Sequence, residues 1–280
     1  MNLERKINRA LRNLTFGDLP ALSDAKRAYA SERAALGFRE VAGAWMSAPS
    51  DVAKYREGEG RVIYGMALAA HKASGHNVCL WEDHCAKACV AKSGNGGYPA
   101  VTAARIARTN LWANDPAAAL TLLVRGMDNA VRAHGTLNVA ARLNTFSDIR
   151  WERVLPFWFW TRFGFVKFYD YTKAPLRARP VATVPGNYSL TYSVSSRSTQ
   201  EEIAAQRAAG RSVAVVVETR GGIDRRTGDK RPLPTVMSAN VVDGDRDDRR
   251  YADPEGAIVM LRRKGSLSAG DSLVRDPRSI

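Results

Sequence analysis

The stretch Tyr188–Val217, YSLTYSVSSRSTQEEIAAQRAAGRSVAVVV, decides the fold. Tyr188, Leu190, Tyr192 and Val194 alternate with Ser189, Thr191 and Ser193. That is the period of a strand with one apolar and one hydroxyl-bearing face. Ser198-Thr199-Gln200-Glu201 reads as a capping box opening a helix that Gly210 closes. Ser212–Val217 is a second, valine-rich strand. A connection of this length needs a crossover helix, and such a crossover lays its two strands parallel.

Working outward, Val62–Ala69, Leu137–Leu143 and Phe165–Tyr171 are predicted as three earlier strands, and Val236–Val242 and Ala257–Leu261 as two later ones. Helices are predicted from Pro99 to Ala113 and from Pro116 to Gly135, the second with Asp115 as N-cap, Pro116 at N1 and Gly135 as terminator. Asp148 can cap a third helix carrying Trp151, Val154 and Leu155, which ends by Gly164. The last two strands are close enough in sequence to pair antiparallel. The fold class is α/β: a partial (βα) barrel or an open, mostly parallel sheet. Either form gathers its functional loops at the C-terminal ends of the strands.

Residues 1–60 read as a basic helical appendage: Leu3, Ile7, Leu11 and Leu14 recur at helical spacing, with Arg5, Lys6, Arg9 and Arg12 on the other faces. A second helical stretch runs from Leu22 to Trp45, broken near Gly37, and loops follow at 47–50 and 57–60. Residues 61–264 form the α/β domain, and 265–280, rich in Ser, Gly, Asp and Arg, read as a flexible tail.

The chain has 280 residues, 45% of them hydrophobic, enough for a full core. Its 42 Lys and Arg against 28 Asp and Glu leave a net charge of +14, which points to a polyanionic partner such as nucleic acid, or to a solvated basic surface. No apolar run approaches the roughly 18–20 residues that span a bilayer. The N-terminus lacks a secretory h-region, and three cysteines make no disulfide framework, so the expected setting is a reducing cytoplasm.

All three cysteines lie in Cys79-Leu80-Trp81-Glu82-Asp83-His84-Cys85-Ala86-Lys87-Ala88-Cys89, spaced C-x5-C-x3-C just after the first strand. Three thiolates on a [4Fe-4S] cluster leave one iron without a protein ligand, the position S-adenosylmethionine occupies in radical chemistry. The usual spacing for that chemistry is C-x3-C-x2-C. A Cys3His zinc site with His76 as fourth ligand is the second reading, and three buried thiols acting as small hydrophobes the third. Gly94, Gly96 and Gly97, ahead of a helix, can offer backbone N–H groups to an anion.

Residues from the other strand ends share that face. Asn144 and Asp148 follow the second strand, Tyr171 and Lys173 close the third as candidate proton donor, nucleophile or phosphate contact, and Ser193 and Ser195 end the fourth with hydroxyls for a cofactor or carboxylate. Residues 243–248 begin like a calcium loop but lack its Gly and its final Glu. They read instead as an acidic turn paired with Arg249 and Arg250. Phe157–Trp160 reads as core rather than a base-stacking platform. No serine elbow or H-E-x-x-H occurs, and His134 is the one histidine far from the cysteines, which argues against a hydrolytic triad.

Several segments together resemble the phage gene-product-88 family. They are the cysteine cluster with its Gly-rich sequel, Arg142-Leu143-Asn144 with Ser147-Asp148, and Phe168-Tyr169-Asp170-Tyr171-Thr172-Lys173. Asn187–Val194, and Val242-Asp243-Gly244-Asp245 with Asp248, Arg249 and Lys264-Gly265, complete the series over about residues 50–265. The resemblance implies a phage or prophage protein whose cysteines are similar to those of radical-SAM-like phage proteins. In those the third cysteine is usually followed by Tyr, and here Val90 follows Cys89. The reading is a radical-SAM-like modifying enzyme acting on nucleic acid, with a non-enzymatic nucleic-acid-binding protein, zinc-stabilised or metal-free, as the alternative.

Overall fold

A computed structural model describes residues 2–38, 44–47, 60–86, 89, 91, 94–221, 230–236, 240–264, 267–268 and 270–280. Among these, seven strands form one sheet: β1 (Val62–Gly65), β2 (Val139–Arg142), β3 (Lys167–Thr172), β4 (Tyr188–Ser193), β5 (Val213–Arg220), β6 (Val241–Asp243) and β7 (Ile258–Arg263). Their order is β1-β2-β3-β4-β5-β7-β6 and every pairing is parallel. The sheet curls into a half-barrel, the partial-barrel form of the predicted fold class. The last two strands are a correction: β6 pairs with β7 in parallel, not antiparallel. Residues 244–257 between them are long enough for the dozen or so residues that a parallel crossover needs, and they make it without an α-helix.

The helices are α1 (Leu3–Leu11), α2 (Leu22–Ala34), α3 (Pro99–Asn114), α4 (Pro116–His134), α5 (Trp151–Val154), α6 (Phe157–Arg162) and α7 (Gln200–Ala208). At the start of α4 the Asp115 side chain accepts from Ala118 N, and Gly135 ends the helix at φ +82°, a conformation only glycine adopts freely. The cap of α7 is Thr199, accepting from Glu202 N, because the Ser198 hydroxyl is already bonded to Ser195 N and Tyr192 Oη. Asp148 caps nothing. Arg150 holds the N-cap position of α5; its side chain makes no capping bond, and its N–H donates to Glu4 Oε1 at 2.9 Å.

Strand alternation sorts the two faces of the sheet. On the convex face, Ala141, Phe168, Tyr188 and Leu190 join one large core with α1 to α6, and Tyr192, Val213, Val215, Ile258 and Met260 form a second core with Ile203 of α7. Leu3, Ile7, Leu11, Ala25 and Tyr29 of the first two helices belong to the large core, so the segment read as an appendage shares its packing. Phe159 and Trp160 are buried as expected, while Phe157 is 84% exposed. The concave face carries Ile63, Ala140 and Tyr169, then Arg142, Tyr171, Ser189, Thr191 and Ser193.

The C-terminal stretch is packed where it is described, against the expectation of a loose tail. Leu273 is buried, Val274 bridges Val216, and Arg275 Nη2 donates to Ser195 O and Ser196 O. Most of the helical stretch and loops expected over 39–59, and Ser93 of the Gly-rich run, lie outside the described residues.

Candidate active site at the C-terminal mouth

The cysteine loop leaves β1 at the C-terminal end of the sheet and reaches across the mouth. Val78 O accepts from Asp148 N at 2.8 Å, tying the loop to the segment after β2. Within the loop Asn77 Oδ1 accepts from Cys79 N, and Cys79 Sγ lies 3.6 Å from Phe146 O. Asp83 Oδ2 accepts from Ser196 N at 3.0 Å and also from the Ser196 hydroxyl, while Arg197 donates to Glu82 O. The loop is therefore moored to the residues after β4, on the far side of the mouth.

Cys79, Cys85 and Cys89 are all half-buried, reduced thiols. Burial pushes the Cys79 thiol up to about 12, and the nearby charges of Asp148, Cys85 and Cys89 push in the same direction. Cys85 and Cys89 thus lie near enough to Cys79 to act on it, and Arg105 lies close enough to Cys89 to feel its charge. Among the described residues no group of three His, Cys, Asp or Glu side chains is arranged as a metal-ion site. The residue types nevertheless suit a soft centre, since thiolate is the ligand such a metal takes and a bound metal would draw off the thiol protons. After burial, which lowers the His76 pKa, the charges acting on its ring are Lys6 and Glu32, on α1 and α2.

The Gly-rich run forms a 3-10 turn, Gly94–Gly97, ahead of α3. Arg105 Nη1 clamps it, donating to Ala91 O at 2.9 Å and Gly96 O at 3.1 Å, with its guanidinium 4.3 Å from the Phe146 ring centre. A Cβ at Gly96 would sit 2.8 Å from Ala91 O, so this glycine is required for close backbone approach. Gly97 is exposed beside it.

Of the other predicted residues, three meet. Lys173 Nζ donates to Ser193 Oγ at 2.9 Å, and Lys173 N donates to Asp148 Oδ2 at 2.8 Å. Asp148 is buried, and desolvation raises its pKa against the lowering effect of Arg179, whose Nη1 is 3.4 Å from Oδ1. Tyr171 lies on the concave face, 5.0 Å from the Arg142 guanidinium carbon, and its phenol is held protonated by burial first and by Asp248 second. Ser195 is a turn residue, its N–H bonded to Ser198 Oγ.

Asn144 is committed to the fold. Its Nδ2 donates to Ile149 O and Asp170 Oδ2, and its Oδ1 accepts from Ser147 Oγ, Ile149 N and Trp151 Nε1.

Sequence reasoning did not single out Asp83, Arg105, Asp170, Arg179 or Asp248. Asp170 is buried beneath the mouth, accepting from Asn144 N at 2.7 Å and Tyr188 Oη at 2.6 Å, and burial raises it to about 7. Arg179, with no side-chain exposure, pairs with Glu152 at 2.7 Å. The acidic turn expected at 243–248 extends this network. Asp248 Oδ2 bonds Arg142 at 2.8 Å and Tyr169 Oη at 3.0 Å, and Asp247 pairs with Arg249 and Arg250 as predicted. Period-two alternation from Ala140 could have placed Arg142 on the concave face, but no local signal joins it to Asp248.

An all-parallel half-barrel with a thiol-bearing loop across its C-terminal mouth defines the class: an α/β protein whose strand-end loops build one polar site. The sequence matches the Gene product 88 family over residues 40–276, and the chain belongs to this family of phage gene products. No curated protein and no solved structure matches it. Among the described residues no helix is long and apolar enough to cross a membrane.

Proposed function

We propose that this phage protein is a radical-SAM-like modifying enzyme, with Cys79, Cys85 and Cys89 as thiolate ligands of a [4Fe-4S] cluster and S-adenosylmethionine as co-substrate. The observation that carries the reading is position: three cysteines in the loop after β1, at the C-terminal mouth of a half-barrel whose first five strands follow in sequence order. Bound there, the cluster would supply an electron for reductive cleavage of the sulfonium, through the one iron that three cysteines leave open.

The chain's own residues supply the rest. The Asp83–Ser196 tether holds the loop against the β4 end, which fixes the thiols relative to Lys173 and Ser193. Lys173 and Ser193 present an ammonium and a hydroxyl suited to a carboxylate, the group an amino-acid cofactor brings. Tyr171 stays protonated below them as a hydrogen-bond donor. A net charge of +14 supports nucleic acid as the substrate class.

Anaerobic purification followed by iron and sulfide assay tests the reading. The expected result is a brown protein with about four iron atoms per chain, colourless after Cys85→Ala. A colourless, iron-free wild type after reconstitution would sink it. Zinc in its place, near one atom per chain, would favour a structural Cys-rich site in a binding protein.

A further inference from the structure

A cavity of about 940 Å³ opens at the opposite end of the half-barrel, beneath the N-terminal ends of β4 and β5. It is within the roughly 300–1,000 Å³ range of small-molecule sites. Ser189 and Thr191 line it from the concave face, Val181 and Val184 form an apolar wall, and Arg207, Arg211 and Arg250 enter from three sides.

One guanidinium there lacks an ion pair. It is not Arg250, whose side chain is 1% exposed and which pairs with Asp247 and Asp253, each at 3.2 Å. Arg211 is 5% exposed, and its hydrogen bonds go to Gln206 Oε1 and Arg179 O, both uncharged. Arg207 bonds Gly256 O and, at 3.5 Å, a carboxylate oxygen of the last residue, Ile280. Among the described residues no carboxylate bonds Arg211, and Glu255 is exposed. A buried guanidinium without a counter-charge is unfavourable by several kcal/mol, and an anion in the cavity relieves it. Burial, with Arg179 second, lowers Arg211 to about 10 against the opposing effect of Glu152 and Glu202.

We infer that this cavity is a second binding site, for a small organic oxyanion whose phosphate or carboxylate meets Arg211 and Arg207 while its body lies along Val181, Val184 and the hydroxyls of Ser189 and Thr191. The site is independent of the cysteine loop, at the other end of the strands.

Titration calorimetry of the full chain at low ionic strength, with inorganic phosphate, ribose 5-phosphate and succinate in turn, tests this and separates phosphate from carboxylate recognition. The expected result is saturable binding of at least one, weakened roughly tenfold or more by Arg211→Gln and unchanged by Arg27→Gln on the exposed face of α2. Arg207→Gln, at a half-buried position, reads the same contact should the Arg211 variant not fold. Cys79→Ser should bind as wild type, so loss of the cluster reading leaves this result standing. No saturable binding of any of the three, or wild-type affinity in both arginine variants, overturns the inference.

Discussion

Replacing Asn144 by Ala should unfold much of this protein's margin of stability. The side chain makes five hydrogen bonds within a site that is 2% exposed. Asp170 would keep its bonds from Tyr188 Oη and Asn144 N. Ser147 Oγ, Ile149 N and Trp151 Nε1 would each lose this partner, while Ile149 O keeps the bond from Trp151 N. At about 1 kcal/mol for each of the three orphaned groups, the low end of the range for buried polar atoms, the loss is about 3 kcal/mol. A domain of ordinary stability holds only about 5–15 kcal/mol, so the variant should approach the edge of folding. Urea denaturation followed by tryptophan fluorescence measures it, since Trp151 is itself a partner. A midpoint shift worth less than about 1.5 kcal/mol at unchanged m would refute the claim that Asn144 is the hub joining the ends of β2 and β3. Asn144→Asp should fail too, because its second oxygen would face Ile149 O and the Asp170 carboxylate.

Two further tests follow from the network and the loop. Asp83→Ala severs the mooring of the cysteine loop to Ser196. Amide exchange over 79–86 should then quicken by about tenfold, equivalent to about 1.4 kcal/mol, with the core strands unchanged; unchanged exchange in the loop would contradict the tether. Asp170 titrates near 7 when folded, against about 3.9 unfolded. Between those values the folded state holds a proton that the unfolded state has released, so its contribution is complete below pH ~4 and declines as pH rises to about 7. Asp253, raised to about 6 by burial, acts in the same sense over a narrower window. Carbon-13 NMR of the Asp170 carboxyl should show a midpoint well above the ordinary range, and one at or below 4 would remove this pH dependence.

The sheet was legible because a curled parallel sheet leaves its mark within each strand. Tyr188–Ser193 separates aromatic and aliphatic residues from hydroxyls, and all seven predicted strands appear. What escaped were choices made between distant segments. Ser198 and Thr199 are equally good caps by sequence, and only the Tyr192 hydroxyl takes Ser198 away from the helix. Asp148 has the spacing of a cap, yet Lys173 N and Arg179 claim it from other strands. The strand after 244–257 was misread in direction because that crossover contains no α-helix to announce it. In the candidate site, the loop and the strand ends were readable by their position in a βα series. Which members bond substrate and which bond one another was not, since those pairings join the loop after β1 to the turn after β4, and β2 to the crossover between β6 and β7.

The charge excess also changes meaning once the pairs are known. Arg142 with Asp248, Arg150 with Glu4, Arg179 with Glu152 and Arg262 with Asp243 are buried or half-buried pairs that cancel, so they leave the net +14 untouched. Arg105 and Arg108 are buried on main-chain oxygens, where they clamp the Gly-rich turn and the segments at Ala44 and Ala67. A partner outside the protein meets neither group. What it meets includes Arg5, Arg9 and Arg12, exposed at helical spacing on α1, whose opposite face buries Leu3, Ile7 and Leu11. The apolar stripe is therefore consumed by the core. The basic stripe stays at the surface, and the same helix that completes the fold presents it.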